Sequence, residues 1–88
     1  MRKVQSTGRF DRLVELFMEA HPDLRKRVLA LIDSLAEDAF AAKHKTHRLS
    51  GELKGLWSAS INYHFRIVFV LTDESIIFVS IGSHDEVY

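Results

Sequence analysis

The chain has 88 residues, no cysteine, and twelve acidic against twelve basic side chains. Nearly half of it is hydrophobic, 47%, which suits one globular domain over residues 1–88 and argues against a disordered chain. Without cysteine there is neither a disulfide framework nor a thiolate metal site, and with no run of about 18 apolar residues there is no candidate membrane span.

The N-terminal MRKVQSTGRF carries basic residues but no apolar run behind them, so no secretory leader is expected and a cytoplasmic location is. Residues 2–5 are a candidate edge strand. Ser6 and Thr7 are capping candidates for a first helix, because Phe10, Leu13, Val14, Phe17 and Ala20 recur at helical spacing after them. Leu24, Val28, Leu31 and Leu35 repeat the pattern after Pro22, a residue suited to a first helical turn. The break at His21-Pro22 is tight, which predicts an antiparallel helical hairpin.

After residue 42 the period changes to two. Trp57, Ala59 and Ile61 alternate with Ser58, Ser60 and Asn62, and Phe65, Ile67, Phe69 and Leu71 alternate with Arg66, Val68 and Val70. Turns are expected at 62–64 and 72–75, and a third strand over 76–81. The fold class is therefore α+β, with the helical hairpin packed on one face of a three- or four-stranded antiparallel sheet. An antiparallel sheet tolerates one face in water. With Phe65, Ile67 and Phe69 on the covered side, Arg66 points to the open one, and the residues after 81 leave the sheet as a tail with few contacts.

Charge is unevenly placed. Residues 1–48 hold ten Lys/Arg against seven Asp/Glu, and residues 49–88 two against five, an excess of three positive charges in one part and three negative in the other. The positive density peaks in KHKTHRLSGELK, where Lys43, Lys45, Arg48 and Lys54 accompany His44 and His47. Such a run is either a solvated loop or a surface for phosphates. His44-x-x-His47 also has a spacing compatible with metal ligands, with His64 or His84 as a third nitrogen, but no carboxylate or cysteine completes the set.

His47-x-Leu49-x-Gly51, Leu53-Lys54-Gly55-Leu56-Trp57-Ser58, Ile61, Arg66-Ile67-Val68-Phe69, Thr72-Asp73 and the closing Gly82-x-His84 occur in this order. Together they resemble the C-terminal half of the RelE/ParE toxin superfamily, above all its YoeB- and YafQ-like mRNA interferases, and the paired N-terminal helices agree. The resemblance implies a toxin of a type II toxin–antitoxin system that cleaves mRNA on the ribosome, with a cognate antitoxin as partner and no metal or other cofactor. Carried over by position, His47 is the general base, Arg66 holds the scissile phosphate, His84 is the general acid and Tyr88 stacks on a base or orients the phosphate. Lys43, Lys45, Arg48, Lys54 and His64 are the expected contacts to RNA and ribosome.

The sequence also departs from the pattern. Ser60 stands where YafQ-like proteins have a second histidine, His64 where they have an aspartate, and Ser58-Ala59-Ser60 replaces an arginine-rich strand of YoeB-like ones. A ParE-like gyrase inhibitor and a decayed toxin kept as a binding module are the alternatives; the pair His47 and His84 speaks against the first, and the zero net charge permits the second.

Overall fold

In the computed structural model, which describes residues 1–51 and 55–87, a strand β1 (Lys3–Ser6) leads into helix α1 (Gly8–Ala20). Thr7 caps the helix. Its Oγ1 accepts from the Phe10 N–H at 3.1 Å, satisfying one of the donors that a helix start leaves over. Ser6 instead donates to Asp11 at 2.6 Å. At the other end, His21 precedes Pro22 and sits at φ −131°, ψ 66°, outside the helical region that the proline ring disfavours for its neighbour. A 3-10 turn (Pro22–Leu24) then redirects the chain into α2 (Arg25–Glu37).

The remaining elements are β2 (His47–Arg48), β3 (Trp57–Ser60), β4 (Phe65–Leu71), β5 (Ser75–Ser83) and a short helix α3 (His84–Val87). The sheet has five strands in the order β1-β5-β4-β3-β2, not three or four, and β1 joins β5 in parallel. The edge strand expected at residues 2–5 is β1, but its parallel partner lies about seventy positions away, a distance at which local pattern carries no information. The fifth strand, β2, is too short for a period of two to show.

Both helices lay their apolar stripes on one face of the sheet. Phe10, Phe17, Val28, Leu31, Leu35 and Ala36 meet Ala59, Ile61, Ile67, Phe69, Ile76, Phe78 and Ile81 in one buried cluster. Truncating a side chain such as Phe69 to alanine would cost about 3–5 kcal/mol, a large part of the stability of a small domain.

The opposite face is not wholly open to water, as the alternation alone suggested. Leu49, Val68 and Val87 form a second buried cluster there, with Leu56 and Val79 packed against it. A bulge lies at Val79: Val68 pairs with Ser80 and Phe69 with Phe78, so Val79 is the extra residue. A bulge reverses the parity of the strand, which is how Ile76 and Ile81 both join the helix-side cluster although an odd number of positions separates them.

The expected loose tail is likewise corrected. β5 runs on to Ser83, and α3 folds back so that Val87 is buried against Val68 and Leu49. The start of α3 is a reciprocal cap. Ser83 N–H donates to Glu86 Oε1 at 2.9 Å, and Glu86 N–H donates to Ser83 Oγ at 3.2 Å, the pairing that the order Ser-x-x-Glu encodes. The bond from the Ser83 N–H, and after it the Ser83 side chain, hold the Glu86 carboxyl below its ordinary pKa.

Candidate active site

Residues paired across neighbouring strands share a face, so Ser60, Arg66 and Gly82 form one row and His47, Ser58, Val68 and Ser80 the next, all on the face away from the helices. Arg66 does not stand out into solvent. Its side chain leans across β3 toward β2, where Nε donates to the hydroxyl of Ser58 and Nη2 donates to the Lys45 carbonyl at 3.1 Å. The same Nη2 lies 3.3 Å from His47 Nδ1.

Ser58 is fully buried, 0% exposed, so the hydroxyl that holds Arg66 is fixed by its surroundings. Lys45 matters through its backbone. It has φ 51°, ψ 41°, a left-handed conformation rare outside glycine, and this turns its carbonyl toward both His47 and Arg66. His47 Nδ1 is 3.4 Å from that carbonyl. One ring nitrogen cannot both donate to Lys45 and accept from Arg66. The two contacts therefore belong to two tautomers: donation to Lys45 leaves the lone pair on Nε2, and acceptance from Arg66 puts the proton on Nε2.

His84 opens α3 on the rim of this face. Its residue is two places beyond Gly82, the partner of Arg66, and its side chain is 68% exposed with Nδ1 3.7 Å from Asp85. α3 returns close over Gly82: a Cβ there would meet the Cβ and Oε1 of Glu86 at 3.2 Å, so the Glu86 side chain would have to give way.

The basic run is divided by the fold. Lys43 and Lys45 line a cleft beside β3 with Arg27, whereas Arg48 lies over the Trp57 ring, its Cζ 5.1 Å from the centroid. His44 turns away from His47. It is buried, and its Nε2 is 3.0 Å from Ser34 Oγ on α2, so the two histidines of His44-x-x-His47 are not a ligand pair; among the described residues no three His, Asp or Glu side chains converge on a common point. His64 sits exposed in the β3–β4 turn beside the rings of Tyr63 and Phe65. Lys54 and Tyr88 lie outside the described residues.

Of the residues proposed from the sequence, the fold brings His47 and Arg66 into contact; the groups that hold them were not foreseen. Ser58 was detectable, since the period of two puts it on the same face as Arg66. The Lys45 carbonyl was not, because no residue preference announces a left-handed lysine.

A family model described as YoeB-like toxin of bacterial type II toxin–antitoxin system matches residues 8–85. A "Toxin YoeB" of Synechocystis is 32% identical over 68 residues, covering 77% of this chain and 79% of that protein. YafQ from E. coli strain BL21(DE3) superposes with a TM-score of 0.86 at 23% identity, covering 100% of this chain and 99% of its own. In the E. coli DinJ–YafQ toxin–antitoxin complex the matching chain is 25% identical with a TM-score of 0.83, covering 99% and 97%. No helix among the described residues is long and apolar enough to cross a membrane.

Proposed function

The chain belongs to the YoeB-like toxins of bacterial type II toxin–antitoxin systems, and we propose that it is an endoribonuclease that cuts mRNA on the ribosome without a metal ion. The observation that carries this reading is the contact of Arg66 with His47 above a common carbonyl, that of Lys45. The reaction is attack of a ribose 2′-oxygen on the adjoining 3′-phosphate. It needs a base for the hydroxyl proton, positive charge at the phosphorane and an acid for the departing 5′-oxygen.

A phosphate bound at Arg66 draws the guanidinium to its oxygens through a planar fork. His47 Nδ1–H then donates to Lys45, and Nε2 takes the proton from the 2′-hydroxyl. The new O2′–P bond forms as the P–O5′ bond breaks, and His84 gives its proton to O5′. The products are a 2′,3′-cyclic phosphate and a 5′-hydroxyl. Two imidazoles in opposite protonation states suit such chemistry near neutral pH. Tyr88 is assigned to stacking or phosphate orientation, and Lys43, Lys45, Arg48, Lys54 and His64 to RNA and ribosome.

The setting is the cytoplasm, residues 1–88 act as one toxin unit, and a cognate antitoxin silences it, by analogy with the DinJ–YafQ complex. A segment of that antitoxin crossing the face around Arg66 competes with α3, which occupies part of it through Val87. The test is brief expression in bacteria with and without the neighbouring gene, followed by mapping of mRNA 5′ ends. New ends within translated regions, absent with Arg66→Ala and suppressed by the neighbour, support the proposal. Growth arrest without new ends would transfer the toxin to another target.

A further inference from the structure

The β3–β4 turn presents an aromatic ring for which the core has no use. Tyr63 is 99% exposed, yet the turn that carries it is firmly tied: Asn62 Oδ1 accepts from the N–H groups of His64 at 2.9 Å and Phe65 at 3.0 Å, and Ser60 Oγ donates to the Asn62 carbonyl at 2.8 Å. Beside it lies a cleft of about 430 Å³ lined by Arg27, Lys43, Lys45, Ser60, Asn62 and Tyr63. Among the described residues no carboxylate lines this cleft and no ion pair engages any of the three cations.

The backbone adds a donor. Ile61 N–H points to Phe65 across β4, and Leu56 accepts from Leu49 on the β2 side. Alternation then turns the Ser60 N–H to the β2 side, where β2 pairs with β3 only at Ser58 and Trp57 and the edge is open. Lys45 ties the cleft to the candidate active site, since it lines the cleft while its carbonyl holds Arg66.

We propose that this cleft is a subsite for single-stranded RNA, in which one base stacks on Tyr63 and the neighbouring phosphates meet Arg27, Lys43 and Lys45. An exposed aromatic ring on a tied turn beside a group of cations is the arrangement that holds single strands with little regard to sequence. An acidic protein segment would use the cations but not the ring. The inference rests on the RNA-cleaving reading above and names where the strand continues beyond the scissile phosphate.

The test is fluorescence anisotropy with a short 2′-O-methyl oligoadenylate, which 2′-attack cannot cut, and with an abasic oligomer of the same length. Tyr63→Ala should weaken oligoadenylate binding about 5- to 100-fold and leave the abasic oligomer unaffected, while Tyr63→Phe binds as the parent does. Arg27→Ala with Lys43→Ala should weaken both oligomers and lower the salt slope by about 1.4. Equal binding of the two oligomers by the parent, or an oligoadenylate affinity indifferent to Tyr63→Ala, overturns the subsite. So does tighter binding of a poly-glutamate peptide that depends on the cations alone. The two readings fail separately: a protein that cuts mRNA in cells but ignores Tyr63→Ala loses only the subsite, and one that stacks oligoadenylate but cuts nothing loses only the nuclease.

Discussion

Arg66 Nη2 and His47 Nδ1 stand 3.3 Å apart, 19 residues distant in the chain and two strands apart in the sheet. The arginine reaches the histidine because Ser58, on the strand between them, accepts from its Nε. Ser58→Ala should therefore let the guanidinium wander and cut the rate of mRNA cleavage by about tenfold, less than the loss from removing a catalytic group, about 10²- to 10⁴-fold. Arg66→Lys should fall between Ser58→Ala and Arg66→Ala, because lysine keeps the charge but not the fork. Single-turnover rates on programmed ribosomes order the three; a Ser58→Ala protein as fast as the parent would remove Ser58 from the account.

Lys45 holds a left-handed conformation besides carrying a charge. Asparagine tolerates the left-handed region and valine does not, while both discard the ammonium. Lys45→Val should be less stable than Lys45→Asn by about 1–2 kcal/mol and slower in cleavage at saturating ribosome concentration. Matching denaturation midpoints for the two variants would show that the turn relaxes without strain.

Gly82→Ala places a methyl group against Glu86. The reciprocal cap with Ser83 should open, with a loss of about 0.5–2 kcal/mol and faster amide exchange at Ser83 and Glu86. Cleavage should fall with it, because His84 starts the same turn. Retained exchange protection at both amides would contradict this role for Gly82.

His44 is held below its ordinary pKa of 6.5, first by burial and then by Lys43, with Asp38 opposing. The unfolded chain therefore takes up a proton more readily than the folded one. Stability is complete above the unfolded value and is lost as pH falls from about 6.5 toward the folded value. His44→Gln, which keeps a polar partner for Ser34, should flatten urea midpoints across that interval; an unchanged slope would assign the acid sensitivity elsewhere.

The sequence made the two helices, strands β3 to β5 and the parity of Arg66 legible, because each depends on local periodicity. The cap at Thr7 was likewise written in residue type, whereas the Ser83–Glu86 cap, though encoded by Ser-x-x-Glu, stands where a loose tail was expected. β1 was legible as an edge strand but not in its parallel pairing with β5, which depends on a distant partner, and β2, only two residues long, was not legible at all. The position of the bulge at Val79 was also hidden: its flanks are apolar on both faces, so hydropathy cannot say where parity changes. At the site, His47 and Arg66 were recognisable by kind and order. Arg48 looked like the lysines around it, and only packing on Trp57 separates it from them.

The most direct measurement of the central claim is the chemistry of the cut ends on ribosome-bound mRNA in a purified translation system. The account predicts a 2′,3′-cyclic phosphate and a 5′-hydroxyl, no cleavage when the scissile ribose lacks its 2′-hydroxyl, and no cleavage by folded Arg66→Ala protein. A 5′-phosphate with a 3′-hydroxyl, or full cleavage of the 2′-deoxy substrate, would contradict it.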